Sequence, residues 1–210
     1  MTFDREYFEQ GPMTGKSLYT NYRWLPELTI PLCHHLAIEC PFAISDNILD
    51  FGCAKGYIVH GLRLLGYNAY GVDISEYAIS QAPKEVNGYV KLIEPYETLR
   101  PKRYNWIICK DILEHIPYER IDAQISILAD GCDDLIAMVP LGDGKKYNIE
   151  AYEHDATHII REPLEWWGDK FTSNGFNIDI ESHDLGPFKG NWQGIHPEGN
   201  GLFLAYSRER

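Results

Sequence analysis

The chain has no C-x-x-C pair. Its five cysteines, Cys33, Cys40, Cys53, Cys109 and Cys132, are scattered and odd in number. That spacing argues against a zinc cluster and against a disulfide framework, so reduced thiols and a cytoplasmic location are expected. No apolar run approaches the roughly 20 residues of a membrane span, so no membrane association is expected. The first fifteen residues carry Asp4, Arg5, Glu6 and Glu9 and lack the apolar stretch of a signal peptide. Basic residues are in deficit, 19 against 31 acidic, for a net charge of −12. A surface that negative repels phosphate backbones, so no nucleic-acid partner is expected. Internal repeats and low-complexity tracts are also missing, and nothing in the sequence specifies an oligomer.

What is present is an ordinary globular composition, 44% hydrophobic and 24% charged over 210 residues. A chain of that length can bury a core without staples. From Asp46 onward, short apolar runs alternate with helical stretches, the mark of βαβ units and a parallel sheet. Strands are predicted at Asn47–Phe51, Ala69–Val72, Tyr89–Ile93, Trp106–Cys109 and Asp134–Val139. A helix over 31–40 is predicted to turn Leu32, Leu36 and Ile38 inward. Further helices carry Ile58, Val59, Leu62 and Leu65, then Ser75–Gln81, then Ile121, Ile125 and Leu128. The last starts at Pro163 and buries Leu164, Trp167 and Phe171. Two closing strands, Asn177–Ser182 and Gly201–Tyr206, flank a long loop. Residues 1–30 read as aromatic-rich and irregular. The expected organisation is an N-terminal arm with a helix over 1–45, then one α/β domain over 46–210.

The chemistry concentrates in Ile48-Leu49-Asp50-Phe51-Gly52-Cys53-Ala54-Lys55-Gly56-Tyr57. This is a buried strand, a turn of small residues and a helix N-terminus. Small residues let a ligand approach the backbone, and free helix N–H groups attract electron-rich groups. Asp73 follows at the tip of the next strand, where a carboxylate can accept both hydroxyls of a ribose. A dinucleotide loop, G-x-G-x-x-G, would need glycines at 54 and 57, but the chain has Ala54 and Tyr57.

The pattern present, D-x-G-x-A-x-G with an acid ending the second strand, resembles that of the class I S-adenosylmethionine-dependent methyltransferases of the small-molecule type. The run from Trp106 through Lys110-Asp111 to Leu113-Glu114-His115-Ile116-Pro117 resembles their fourth-strand segment. His154-Asp155-Ala156-Thr157-His158 resembles a D-x-T-H landmark of many members. The resemblance implies a Rossmann-like fold, a seven-stranded mostly parallel sheet of order 3-2-1-4-5-7-6 with strand seven antiparallel and helices on both faces. It also implies S-adenosyl-L-methionine as cofactor, with S-adenosyl-L-homocysteine as product. The cofactor contacts it implies are Asp50, Gly52, Cys53, Ala54, Gly56, Asp73 and Ile74, with Lys110 and Asp111, at the carboxyl edge of the sheet, meeting the methionine end of the cofactor or the substrate. Tyr22, in an arm lying over the cofactor, completes the set.

The acceptor side is read as follows. His158 is the first candidate for a general base toward an oxygen or nitrogen of a small polar metabolite, and His154 the second. If that segment is helical, the two imidazoles share a face, but no third ligand has diagnostic spacing, so no metal is expected. Cys33-His34-His35 with Cys40 likewise matches no metal-site spacing. The loop after residue 186 offers Trp192, Gln193 and His196 to a ring or sugar face. Two other classes stay open: a non-catalytic binding domain of the same fold, and a nucleotide-cofactor oxidoreductase.

Overall fold

The strands are β1 (Asn47–Phe51), β2 (Asn68–Asp73), β3 (Val90–Leu92), β4 (Tyr104–Lys110), β5 (Cys132–Pro140), β6 (Phe176–Ser182) and β7 (Asn200–Ser207). In this computed structural model, which describes residues 3–99, 103–189 and 194–209, they form one sheet in the order β3-β2-β1-β4-β5-β7-β6. That is the order the resemblance implied, with β7 antiparallel to both its neighbours. The elements divide between two compact units, Met1–Pro95 with His154–Thr157, and Tyr96–Glu153 with His158–Arg210.

In the first unit, β1 pairs in parallel with β2, and β2 with β3. Ile48, Leu49, Asp50 and Phe51 are all buried, as expected of a parallel strand covered on both faces. The helices are α1 (Arg5–Glu9), α2 (Gly11–Thr14), α3 (Pro26–Glu39), α4 (Tyr57–Leu64) and α5 (Glu76–Ser80). The N-terminal residues are thus not irregular. Asp4 caps α1 by accepting from the Tyr7 N–H, and Gly15 ends α2 with a left-handed φ of 67°. Helix α3 starts at Pro26, well before residue 31, because a first-turn proline lacks only an N–H that has no helical partner anyway. Its inner face holds Leu36 as expected, but not Ile38. Cys33, Leu36 and Cys40, spaced i, i+3, i+7, are fully buried, while Ile38 is 58% exposed.

In the second unit, β4 and β5 pair in parallel from Tyr104↔Cys132 to Lys110↔Met138. Both strands start two residues earlier than their apolar runs suggest. The half-buried Asp133 is tolerated there because Arg103 donates to it at 2.8 Å. Helices α6 (Ile121–Gly131) and α7 (Leu164–Ser173) complete this unit. Helix α7 buries Trp167 and Phe171, and the Phe171 ring meets Trp167, Phe176 of β6 and Phe203 of β7, all fully buried. Strand β6 is the edge. A register irregularity falls between Ile178 and Ile180, and Asp179 and Glu181 are exposed. Among the described residues no helix is long and apolar enough to cross a membrane.

Candidate active site

The glycine loop lies in the first unit. Gly52, Ala54 and Gly56 have φ of 80°, 48° and 75°, so every second residue of the turn is left-handed. Glycine adopts this backbone freely. Ala54 carries a Cβ there, at a cost of about 1–2 kcal/mol. Ala54→Gly should therefore relieve strain. Taking about 1.5 kcal/mol for the strain and subtracting about 0.7 kcal/mol for the extra freedom of glycine in the unfolded chain, the net gain is about 0.8 kcal/mol. A urea midpoint that stays put or falls would show that the alanine backbone costs nothing here.

Asp73 ends β2 buried against this loop. Its Oδ2 accepts from the Ala54 N–H at 2.7 Å and its Oδ1 from the Ser75 N–H at 2.7 Å. Burial pushes the carboxyl above its ordinary value, while the Ser75, Ala54 and Ile74 N–H groups pull it back. Ile74 beside it is 45% exposed, so an apolar surface adjoins the carboxylate. Gly71 lies opposite Asp50 in the register. A Cβ at Gly71 would come within 2.6 Å of Cys53 Sγ and 2.7 Å of Cys53 Cβ, so glycine is what lets the loop settle on β2. The buried Cys53 thiol is raised well above its ordinary value by desolvation, with Asp50 and Asp73 adding to the effect, which leaves it unreactive.

The N-terminal residues meet the loop through Lys55. Its buried Nζ donates to Glu9 Oε1 at 2.5 Å and to the Tyr22 carbonyl at 2.6 Å, and Tyr77 Oη donates to the same Glu9 oxygen at 2.9 Å. Tyr22 packs against Phe8, Tyr19 and Tyr57 at ring distances of 4.9–5.7 Å. Sequence reasoning placed Tyr22 near the loop but gave no role to Lys55 or Glu9. A single lysine in a turn has no pattern that separates it from a solvated one. Asp155 is a second fastening. Its Oδ2 accepts from Tyr7 Oη at 2.9 Å, and its Oδ1 from the Thr157 N–H and hydroxyl at 2.9 and 2.5 Å. The Ala156 N–H donates to the Lys16 carbonyl at 3.1 Å. His154 is exposed at the end of a 3-10 turn, Glu150–His154. The turn stops there, so the helical face that would pair His154 with His158 does not form.

The second unit holds the other candidates. Asp111 follows β4 with a left-handed φ of 56°. It pairs with Lys110 at 2.5 Å and with Lys189, which also donates to Asn200 Oδ1 at 2.8 Å. Burial would raise the Asp111 carboxyl, but the two lysines hold it well below its usual range. Lys110 and Asp111 therefore neutralise each other and tether Lys189 of the late loop. His196 is half-buried, its carbonyl accepting from the Gly199 N–H. Trp192 and Gln193 lie outside the described residues.

His158 stands beside Glu114 and His115. Its Nδ1 lies 2.9 Å from the Tyr152 carbonyl, which can only accept, so Nδ1 carries the proton. That Nε2 is 3.8 Å from Glu114 Oε1. The His115 and His158 rings are 4.8 Å apart. Glu114 is fully buried. Its carbonyl accepts from the Ile159 and Ile160 N–H groups at 2.8 and 3.0 Å, which staples its turn to the segment just after His158. Neither of its carboxylate oxygens has a hydrogen-bond partner among the described residues. Burial, with Asp111 second, lifts this carboxyl well above its ordinary value. Nothing in a run L-E-H marks such a carboxylate as buried and unpaired.

Residues 28–178 match the methyltransferase domain family. The ubiquinone biosynthesis O-methyltransferase of Thiobacillus denitrificans is 27% identical over 80 residues, which is 35% of this chain and 34% of that protein. The match thus spans about a third of that curated relative. Among solved structures, magnesium protoporphyrin IX methyltransferase from Synechocystis PCC 6803 superimposes with a TM-score of 0.61 at 18% identity, covering 86% of this chain and 82% of that one. An S-adenosylmethionine-dependent methyltransferase from Archaeoglobus fulgidus gives 0.62 at 16% identity, covering 87% and 97%. With the domain match covering most of the chain, the protein belongs to the methyltransferase domain family, as a class I S-adenosylmethionine-dependent methyltransferase. The loop fits that cofactor chemically: no side chain larger than a methyl stands at 52, 54 or 56, and a buried carboxylate adjoins an exposed apolar surface.

Proposed function

We propose that the protein is an O-methyltransferase acting on a hydroxyl of a small polar metabolite. S-adenosylmethionine supplies an electrophilic methyl on its own leaving group, so the chain's task is alignment and exclusion of water. On the cofactor side, Asp73 takes the ribose hydroxyls, Ile74 covers the adenine, and the backbone at Gly52–Gly56 allows close approach. The N-terminal residues with Tyr22 close over the cofactor, an arrangement supported by the Lys55–Glu9 and Tyr7–Asp155 fastenings.

The observation that carries the acceptor assignment is His158. An imidazole whose Nδ1–H is held by a carbonyl has Nε2 as its basic nitrogen, the atom a general base uses toward a hydroxyl proton. The O-methyltransferase name of the relatives supports oxygen as the target atom. His154, exposed and outside this cluster, has no part in the reading.

The test joins thermal denaturation with methyl transfer. S-adenosylhomocysteine should raise the melting temperature, whereas NAD should not. His158→Ala should lower turnover on a hydroxyl acceptor by about 100-fold, within the usual range for a lost acid–base group, with cofactor affinity unchanged. Full turnover by the variant across pH 6–9 would remove His158 from the acceptor side. A melting shift with NAD alone would sink the whole reading.

A further inference from the structure

We propose that Glu114, His115 and His158 form a binding site for a divalent metal ion of the zinc or first-row transition type. One donor atom from each lies within 4.8 Å of the other two. Bonds of about 2.0–2.2 Å to a common ion would set such donors about 3–3.5 Å apart. Small side-chain rotations close the 3.8 Å between Glu114 Oε1 and His158 Nε2 to that range.

Three features make this a built site. First, the Glu114 carboxylate is fully buried with both oxygens unpartnered among the described residues, which is costly unless a cation answers it. Second, the Nδ1–H of His158 donates to the Tyr152 carbonyl, the arrangement that fixes the tautomer and aims Nε2 of a ligating histidine. Third, the backbone bonds from Ile159 and Ile160 to the Glu114 carbonyl hold the two ligand-bearing segments together before any ion arrives. Two imidazoles and a carboxylate suit Zn²⁺, Mn²⁺, Co²⁺ or Fe²⁺ better than Ca²⁺ or Mg²⁺, which prefer all-oxygen sets. Three protein ligands leave positions open for an acceptor oxygen. That last use rests on the O-methyltransferase reading: with an ion bound, His158 Nε2 would be a ligand and the acceptor's proton would pass to water, whereas without the ion Nε2 takes the proton itself. Ion binding does not rest on it.

The full-length protein, stripped with EDTA and desalted, would be titrated with zinc chloride and with manganese chloride by calorimetry. One equivalent of at least one ion should bind with a Kd of micromolar or tighter. Glu114→Gln and His158→Asn should each weaken binding about 100-fold or more while melting cooperatively. His34→Asn, on the outer face of α3, should leave binding unchanged. No saturable binding by either ion, or binding indifferent to both site variants, overturns the proposal. S-adenosylhomocysteine should stabilise the stripped protein as well. If it does and no ion binds, the metal site fails alone, whereas loss of both responses takes the methyltransferase reading with it.

Discussion

Asp73→Ala should weaken S-adenosylhomocysteine binding about 100-fold, equivalent to about 2.8 kcal/mol. Hydrogen bonds to a charged group contribute about 1.5–3 kcal/mol each, and a ribose diol would lose two of them. The expected loss is below the full sum because the carboxylate already shares its oxygens with the Ala54 and Ser75 N–H groups. Those same bonds mean that the variant also loosens the loop, costing about 1–3 kcal/mol of stability. Asp73→Asn keeps an acceptor and removes the charge, so its affinity should fall only about tenfold, one charge-assisted bond weakened to a neutral one. Calorimetry well below the melting temperature separates affinity from stability. Equal affinity of Asp73→Ala and the parent would take Asp73 away from the ribose.

Asp155→Ala should release the N-terminal helices. The carboxylate accepts from the Tyr7 hydroxyl and from the Thr157 N–H and hydroxyl, and removing it takes a shared acceptor away from all of them. The expected cost is about 3 kcal/mol, in the range for breaking a buried network around a charged acceptor. Trypsin cleavage at Arg5 and Lys16 should accelerate accordingly. Tyr7→Phe removes one donor and leaves the two from Thr157 in place, so it should cost about 1 kcal/mol. If the Asp155 variant resists trypsin like the parent, the aromatic packing among Tyr7, Phe8, Tyr19 and Tyr22 holds the segment by itself.

The strand plan is legible because the parallel strands are short apolar runs broken by turn residues and helical stretches, as where Asn47–Phe51 runs into Gly52 and Asn68–Asp73 ends on its aspartate. The left-handed turn was legible at Gly52 and Gly56 and hidden at Ala54, where the chain accepts strain that its residue type does not advertise. The N-terminal helices were missed because α1 is five residues long and held by Asp4, Asp155 and aromatic contacts, with little periodicity of its own. The buried face of α3 is hard to read because it is built from Cys33 and Leu36, with Cys40 just past the helix end, and cysteine packs there as a small apolar residue. On the acceptor side, His158 was singled out, but its neighbours come from Leu113–His115, far away in sequence. Contacts of that range leave no spacing to read.

The edge strand β6 bears on how copies of this chain meet. An open strand edge is a template for pairing with a second molecule. Here the irregularity between Ile178 and Ile180 breaks the regular ladder, and the exposed Asp179 and Glu181 line the approach with like charge. Two such edges brought together would juxtapose four carboxylates, so edge-to-edge growth is opposed at neutral pH even though Ile180 is exposed between them. Acidification below the carboxylate range removes that repulsion, and strand-mediated aggregation should begin there before the core unfolds.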